Sequence, residues 1–311
     1  MTTIVPAPYR VLRRLNRTLY GGIYLCEDSR RAESPVVVKR IELLRAMELL
    51  NAPETQEHSV DDPRHEKALA NMLQRSGGHP NIVTYHSSMI VGSELFFVME
   101  YCDGGDLFEC IQRQERPTVA PLEALAVVAQ VSAGVSFLHQ HGFAHRDLSL
   151  ENIFLDRGIC KIGDFGLSMR THQLSQTRVG KAYYMAPEVV RGEPYDARVA
   201  DMWSIGIVLF IMLTGSPLVP LASPSDRAFK AFRRIGLVAV LESWGVAASM
   251  SVEILELLSG LLEVSPAQRL TVDEVLGHRA FVSWTPYTPR PEHSDSPTNV
   301  PRVLETEVIQ A

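Results

Sequence analysis

The chain has 311 residues, 46% of them hydrophobic, which is enough for one large domain or for two lobes with separate cores. Its 30 basic and 36 acidic side chains leave a net charge of -6, and neither sign forms a long block. That balance argues against a generic nucleic-acid surface or an anionic-membrane surface, so partners are expected at a local site. Cys26, Cys102, Cys110 and Cys160 have no Cys-x-x-Cys spacing, which points to free thiols in a reducing setting and away from cysteine-bound metal.

Taken in order, the N-terminal stretch MTTIVPAPYRVLRRLN has neither an apolar signal core nor a glycine after the methionine. A cytoplasmic location is therefore expected, with the nucleus not excluded, and residues 1–8 form an N-terminal extension. From Val11 to about Ile41 apolar and polar residues alternate between turn formers, the pattern of antiparallel strands. A polar stretch with Pro53 and Pro63 follows. Asp62-Pro63 then predicts a capped helix with Leu69, Met72 and Leu73 on one face, ending at Gly77-Gly78. Two further strand-like segments surround Asn81-Ile82-Val83 and Leu95 to Met99, and Asp103-Gly104-Gly105 marks a break between lobes.

Helical patterns dominate downstream, over Ala124 to His139, Ala200 to Leu213 and Val252 to Leu262. The longest apolar run, Trp203 to Leu213, is too short to span a bilayer and predicts a helix buried all round. The proline-, serine- and charge-rich tail at 282–311 is expected to be flexible.

The chemistry is concentrated in two signatures. Residues 145–152 read HRDLSLEN, and twelve positions past Asn152 the chain reads DFG from Asp164. Phosphoryl transfer needs a nucleotide held still, a cation on the phosphates and a carboxylate at the attacking hydroxyl. Asp147 is the expected carboxylate, Asn152 and Asp164 offer hard oxygen ligands suited to Mg2+, and Lys39 ends a strand-like Val36-Val37-Val38 run. Ala186-Pro187-Glu188, the Asp201-x-Trp203-Ser204-x-Gly206 pattern and Arg269 follow in order.

Over roughly Tyr9 to Phe281 the sequence resembles the eukaryotic protein kinase family, Ser/Thr branch. The resemblance implies an α+β bilobal kinase fold. Its small β-rich N-lobe, about 9–101, would carry one regulatory helix, and its larger helical C-lobe would run over about 106–281. It also implies ATP and Mg2+ as cofactors, protein substrates and an upstream kinase as a further partner, while the charge balance and the short apolar runs point to neither nucleic acid nor membrane insertion. Lys39 would pair with the α- and β-phosphates and with a helix glutamate. Commonest spacing favours Glu57 for that partner, whereas the proline-capped helix favours Glu66 and an insertion before it. Met99 is implied as gatekeeper, Glu100 and Cys102 as hinge positions, Asp106 as a ribose contact, and Val37 and Phe154 as the walls of the adenine slot. Glu188 and Arg269 are implied to form a buried ion pair, and His145 to pack beside the DFG phenylalanine.

Two departures from the family stand out. Aligned on the glycine-rich loop, Asn16 and Thr18 replace the first two glycines, leaving Gly21 and the following Ile23, which raises an alternative reading as a nucleotide-binding pseudokinase scaffold. The catalytic loop carries Ser149 where relatives carry a lysine that faces the γ-phosphate. Lys181 stands where they carry a threonine that bonds to the catalytic aspartate and to that lysine. The expectation is one coupled exchange, in which Lys181 reaches back while Ser149 supplies the hydroxyl. Arg146, before the catalytic aspartate, is the expected acceptor of a phosphate on Thr177 or, second, Ser175. HRDLSLEN lacks the alanine-and-arginine pattern of tyrosine-specific relatives. Glu151 favours a basic residue upstream of the acceptor, although Ile211 stands where strongly basophilic relatives have an acid.

Overall fold

The computed structural model describes residues 4–51 and 61–281. Five antiparallel strands come first: β1 (Tyr9–Thr18), β2 (Gly21–Asp28), β3 (Arg31–Glu42), β4 (Tyr85–Val91) and β5 (Glu94–Glu100), in spatial order β1-β2-β3-β5-β4. The two-residue periodicity of β5 decides its two faces. Leu95, Phe97 and Met99 join the main core, whereas Phe96 and Val98 pack in a smaller cluster with Val5, Tyr9, Tyr24, Cys26, Val36 and Val38.

Two helices accompany the sheet, where the sequence predicts one. α1 (Leu43–Asn51) occupies the start of the stretch read as polar, and Ala46 is fully buried. α2 (Pro63–Ser76) begins as its cap predicts: the Asp62 carboxylate accepts from the Arg64 backbone N–H, with proline in the first turn. It ends on Gly77 at φ 82, a left-handed conformation that glycine reaches without strain. The segment around Asn81-Ile82-Val83 is not a strand. Ile82 forms one bridge to Ile162, flanked by Ile162 N–H to Asn81 O at 2.9 Å and Val83 N–H to Ile162 O at 2.9 Å. Its backbone is committed to the C-lobe, and β4 starts only at Tyr85.

The C-lobe contains α3 (Leu107–Gln112), α4 (Pro121–Gln140), α5 (Pro187–Arg191), α6 (Ala197–Thr214), α7 (Arg227–Ile235), α8 (Leu237–Ser243), α9 (Val252–Leu261) and α10 (Val272–Leu276). Two short ribbons carry its loops, β6 (Phe143–Ala144) with β9 (Met169–Arg170) and β7 (Ile153–Asp156) with β8 (Ile159–Ile162). α6 is the axle of the lobe, with Trp203, Ile205, Ile207, Leu209 and Phe210 fully buried. At Gly206 a Cβ would lie 2.8 Å from the Leu262 side chain, so glycine sets the close packing of α6 on the end of α9. α4 and α6 are long and apolar enough to cross a membrane, but 67% and 78% of their apolar windows lie inside the fold. They are core helices. All four cysteines are free thiols, and burial pushes Cys102 and Cys160 up to about 12 and Cys26 to about 11.

Candidate active site

The inner face of the N-lobe carries one cation, which reaches a helix carboxylate and the aspartate that follows β8. Lys39, on β3 and 4% exposed, places Nζ 2.9 Å from Glu66 Oε2 and 3.0 Å from Asp164 Oδ1. Glu66 comes from the first turn of α2, and its Oε1 accepts from the Tyr85 hydroxyl at 2.9 Å. Glu57 lies outside the described residues. Burial alone would push the Lys39 ammonium toward neutrality, but Asp164 and Glu66 hold it well above its usual value. Lys39 in turn holds the Asp164 carboxyl below the usual carboxylate range, so that acid is anionic and faces the cleft. Phe165 is fully buried, its ring centre 5.1 Å from that of His145 and 6.1 Å from that of Tyr85.

The catalytic loop is clamped from beneath by α6. Asp201 Oδ2 accepts from the His145 backbone N–H at 2.9 Å, and Oδ1 from the Arg146 backbone N–H at 2.8 Å. His139 Nε2 lies 2.9 Å from the same Asp201 Oδ2. His145 is fully buried; its Nδ1 accepts from the Asp147 N–H, which leaves Nε2–H to donate to Gly163 O at 3.1 Å. The Asn152 amide donates to the Asp147 carbonyl and to Asp147 Oδ2, both at 2.8 Å. That orientation aims the Asn152 carbonyl oxygen away from Asp147. Asp164 and Asn152 therefore present hard oxygen donors from two separate elements, a set that fits Mg2+.

The two departures from the family meet. Lys181 Nζ donates to Ser149 Oγ at 2.7 Å and lies 3.3 Å from Asp147 Oδ2, while its backbone N–H donates to Asp147 Oδ1 at 3.1 Å. Ser149 is fully buried, and the Lys181 side chain is 36% exposed. Gly180, at φ 97, makes the approach possible, because a Cβ there would meet Arg146 O at 2.7 Å.

The residues expected around the nucleotide line the interlobe side of the sheet and β7. Val37 pairs with Met99 across β3 and β5, Ile23 with Lys39 across β2 and β3, and the Phe154 ring packs against Gly163. The Glu100 side chain turns away to Lys161 Nζ, at 2.9 Å, and Cys102 follows it in the connecting segment. Asp106 caps α3, its Oδ1 accepting from the Glu109 N–H at 2.8 Å. At Gly21 a Cβ would lie 1.8 Å from Arg40 O, so strand packing alone already requires that glycine. Sequence reasoning missed Tyr20 at the hairpin tip. It is 1% exposed, its hydroxyl donates to the Asp61 carbonyl, and its own carbonyl accepts from the Glu42 N–H at 2.8 Å. Burial, with Asp61 next, raises the Tyr20 phenol, which keeps its proton. An aromatic directly before Gly21-Gly22 was the available signal.

In the activation segment, Arg146 Nε donates to Leu167 O at 2.7 Å, and Nη1 reaches Ser175 Oγ at 3.4 Å. Ser175 is buried and bonded through its backbone to Tyr195, whereas Thr177 is exposed two residues on. At the far end of the segment Arg269 Nη2 donates to Glu188 Oε2 at 2.9 Å, with the guanidinium 5.3 Å from the Trp203 ring centre.

Comparison with known proteins agrees with this geometry. Residues 9–281 match the protein kinase domain family. The chain is 36% identical over 257 residues to serine/threonine-protein kinase SAPK2 of Oryza sativa subsp. japonica, covering 80% of this chain and 74% of that one. It is 38% identical over 219 residues to serine/threonine-protein kinase SRK2A of Physcomitrium patens, 68% of this chain but only 61% of the relative. Against serine/threonine-protein kinase Nek5 of Mus musculus the identity is 33% over 211 residues, 66% of this chain and 31% of the relative. The match runs from the first strand to the last described turn. The chain therefore belongs to the eukaryotic protein kinase family, in its Ser/Thr branch.

Proposed function

We propose that this protein transfers the γ-phosphoryl group of ATP to serine or threonine hydroxyls of protein substrates. The observation that carries the reading is the joint assembly of Lys39 and Glu66 from the N-lobe with Asp147, Asn152 and Asp164 from the C-lobe, joined by the Lys39 bond to Asp164. Phosphoryl transfer is catalysed mainly by positioning and electrostatics, and these residues supply both. Lys39, oriented by Glu66, holds the α- and β-phosphates, and Asp147 orients the substrate hydroxyl and takes up its proton. Asn152 and Asp164 hold Mg2+, which when bound neutralises phosphate charge. Ile23, Val37, Met99 and Phe154 enclose adenine, the backbone at Glu100 and Cys102 meets its edge, and the second Asp106 oxygen serves ribose.

The alternative pseudokinase reading rests on Asn16 and Thr18 in the first hairpin. A radiolabelled ATP assay on a generic protein substrate separates the two, since transfer by the wild type and none by Asp147→Ala supports the enzyme. No transfer by either, with nucleotide still bound, supports the scaffold. Phosphorylation of Thr177 would bring its phosphate to Arg146 and order the segment, so Thr177→Ala should have lower activity than wild type. Equal activity in that assay would remove Thr177 from the scheme and leave Ser175 as the candidate.

A further inference from the structure

We propose that Lys181 is a catalytic residue that brings to the γ-phosphoryl group the positive charge relatives carry at position 149, and that Ser149 is its positioning residue. The inference rests on the kinase reading above and concerns how that reaction is catalysed. In the transfer, the substrate oxygen forms a bond to the γ-phosphorus as the bond from that phosphorus to the β,γ-bridging oxygen breaks. The electron pair leaves with ADP, and the hydroxyl proton passes to Asp147. Negative charge on the γ-phosphoryl oxygens beside Asp147 needs a cation, and a buried serine hydroxyl cannot provide one.

Geometry makes Lys181 the group that does. An ammonium has three N–H donors; Ser149 Oγ at 2.7 Å and Asp147 Oδ2 at 3.3 Å account for two, leaving one for a phosphoryl oxygen. The closer partner is the serine. The ammonium is therefore held more closely by a neutral group than by the carboxylate that must accept a proton. The dependence is mutual, because Ser149 is fully buried and the Lys181 ammonium donates to its hydroxyl.

The exchange also changes how the site is controlled. Position 149 lies on the loop that Asp201 fixes to α6, whereas Lys181 lies on the activation segment, carried by Gly180 and the buried Val179. The charge is present only when that segment folds against the catalytic loop. Order in the segment thus assembles a catalytic group directly.

The test is steady-state kinetics of the full chain with Mg2+ and ATP on a serine peptide. It compares wild type, Asp147→Ala, Lys181→Met, Ser149→Lys and the double variant Ser149→Lys/Lys181→Thr. Lys181→Met is expected to lower kcat about 100-fold. The KM for ATP should change less than about threefold, as for a group that acts mainly in the transition state. The double variant, which restores the family arrangement, should exceed Lys181→Met in kcat by about tenfold or more. A kcat within about twofold of wild type in Lys181→Met overturns the inference. So does a double variant that melts and binds ATP like wild type yet is no faster than Lys181→Met, which keeps the test decisive should that single variant fold poorly. A wild type no more active than Asp147→Ala instead overturns the kinase reading.

Discussion

Arg146 and Asp164 are non-glycine residues with φ of 66 and 56, in the left-handed region. Each such conformation costs about 1–3 kcal/mol and persists only where surrounding bonds hold it. Asp201 holds Arg146 through its backbone N–H, and Lys39 holds Asp164 through its side chain. Gly180 reaches φ 97 without that cost, so Gly180→Ala adds both strain and a contact with Arg146 O at 2.7 Å. We expect Gly180→Ala to lose most of its turnover because Lys181 can no longer bond to Asp147, while its melting temperature falls by only a few degrees. Parallel kinetics and thermal melts check this; full turnover would mean that the segment finds another path. At this scale the sequence was most legible where chemistry dictates residue type, as at Lys39, Asp147, Asn152 and Asp164. Asp201 as a clamp and Tyr20 as an anchor were not legible, since each depends on a backbone partner that only the fold supplies.

Among the elements, α2 delivers Glu66 and is the one whose start was clearest in sequence. Asp62 caps it, with Oδ1 accepting from the Arg64 N–H at 2.9 Å. Burial would raise the Asp62 carboxyl, but the hydrogen bonds from Arg64 bring it below the usual carboxylate range. Asp62→Ala should cost about 1 kcal/mol, read by chemical unfolding at neutral pH. With the folded value depressed, the carboxylate's contribution is complete above its unfolded pKa of about 4 and is withdrawn as pH falls through the folded value. Wild type and variant should therefore converge in stability under acid, and a constant gap down to low pH would contradict the assignment. α1 was missed because LLRAMELLN has no cap and runs toward Pro53. Its periodic leucines, with Ala46 at the contact, were the readable signal. The error at Asn81-Ile82-Val83 has another cause: β-branched residues predicted a strand, but their backbone partner is Ile162 in the other lobe.

For the molecule as a whole, the described residues form two lobes whose elements converge on the cleft, and the end of the activation segment is braced by Arg269 and Glu188. Arg269 also donates to the carbonyls of Glu263 and Val199, at 2.9 Å each, so one guanidinium ties the start of α5, the start of α6 and the loop after α9. Arg269→Met should cost about 3–5 kcal/mol, because it strands the Glu188 charge in the core. Changing Glu188→Gln in the same chain should recover part of that loss in urea unfolding. No recovery would show that the bonds to Glu263 and Val199 matter more than charge.

Tyr20 ties the tip of the first hairpin to Asp61 and Glu42, so the hairpin travels with the N-lobe as part of one plate. If a nucleotide binds as proposed, the hairpin over it would then shift only together with β3 and α2, so a mutation at Tyr20 would loosen the cover without touching any group expected to meet the nucleotide.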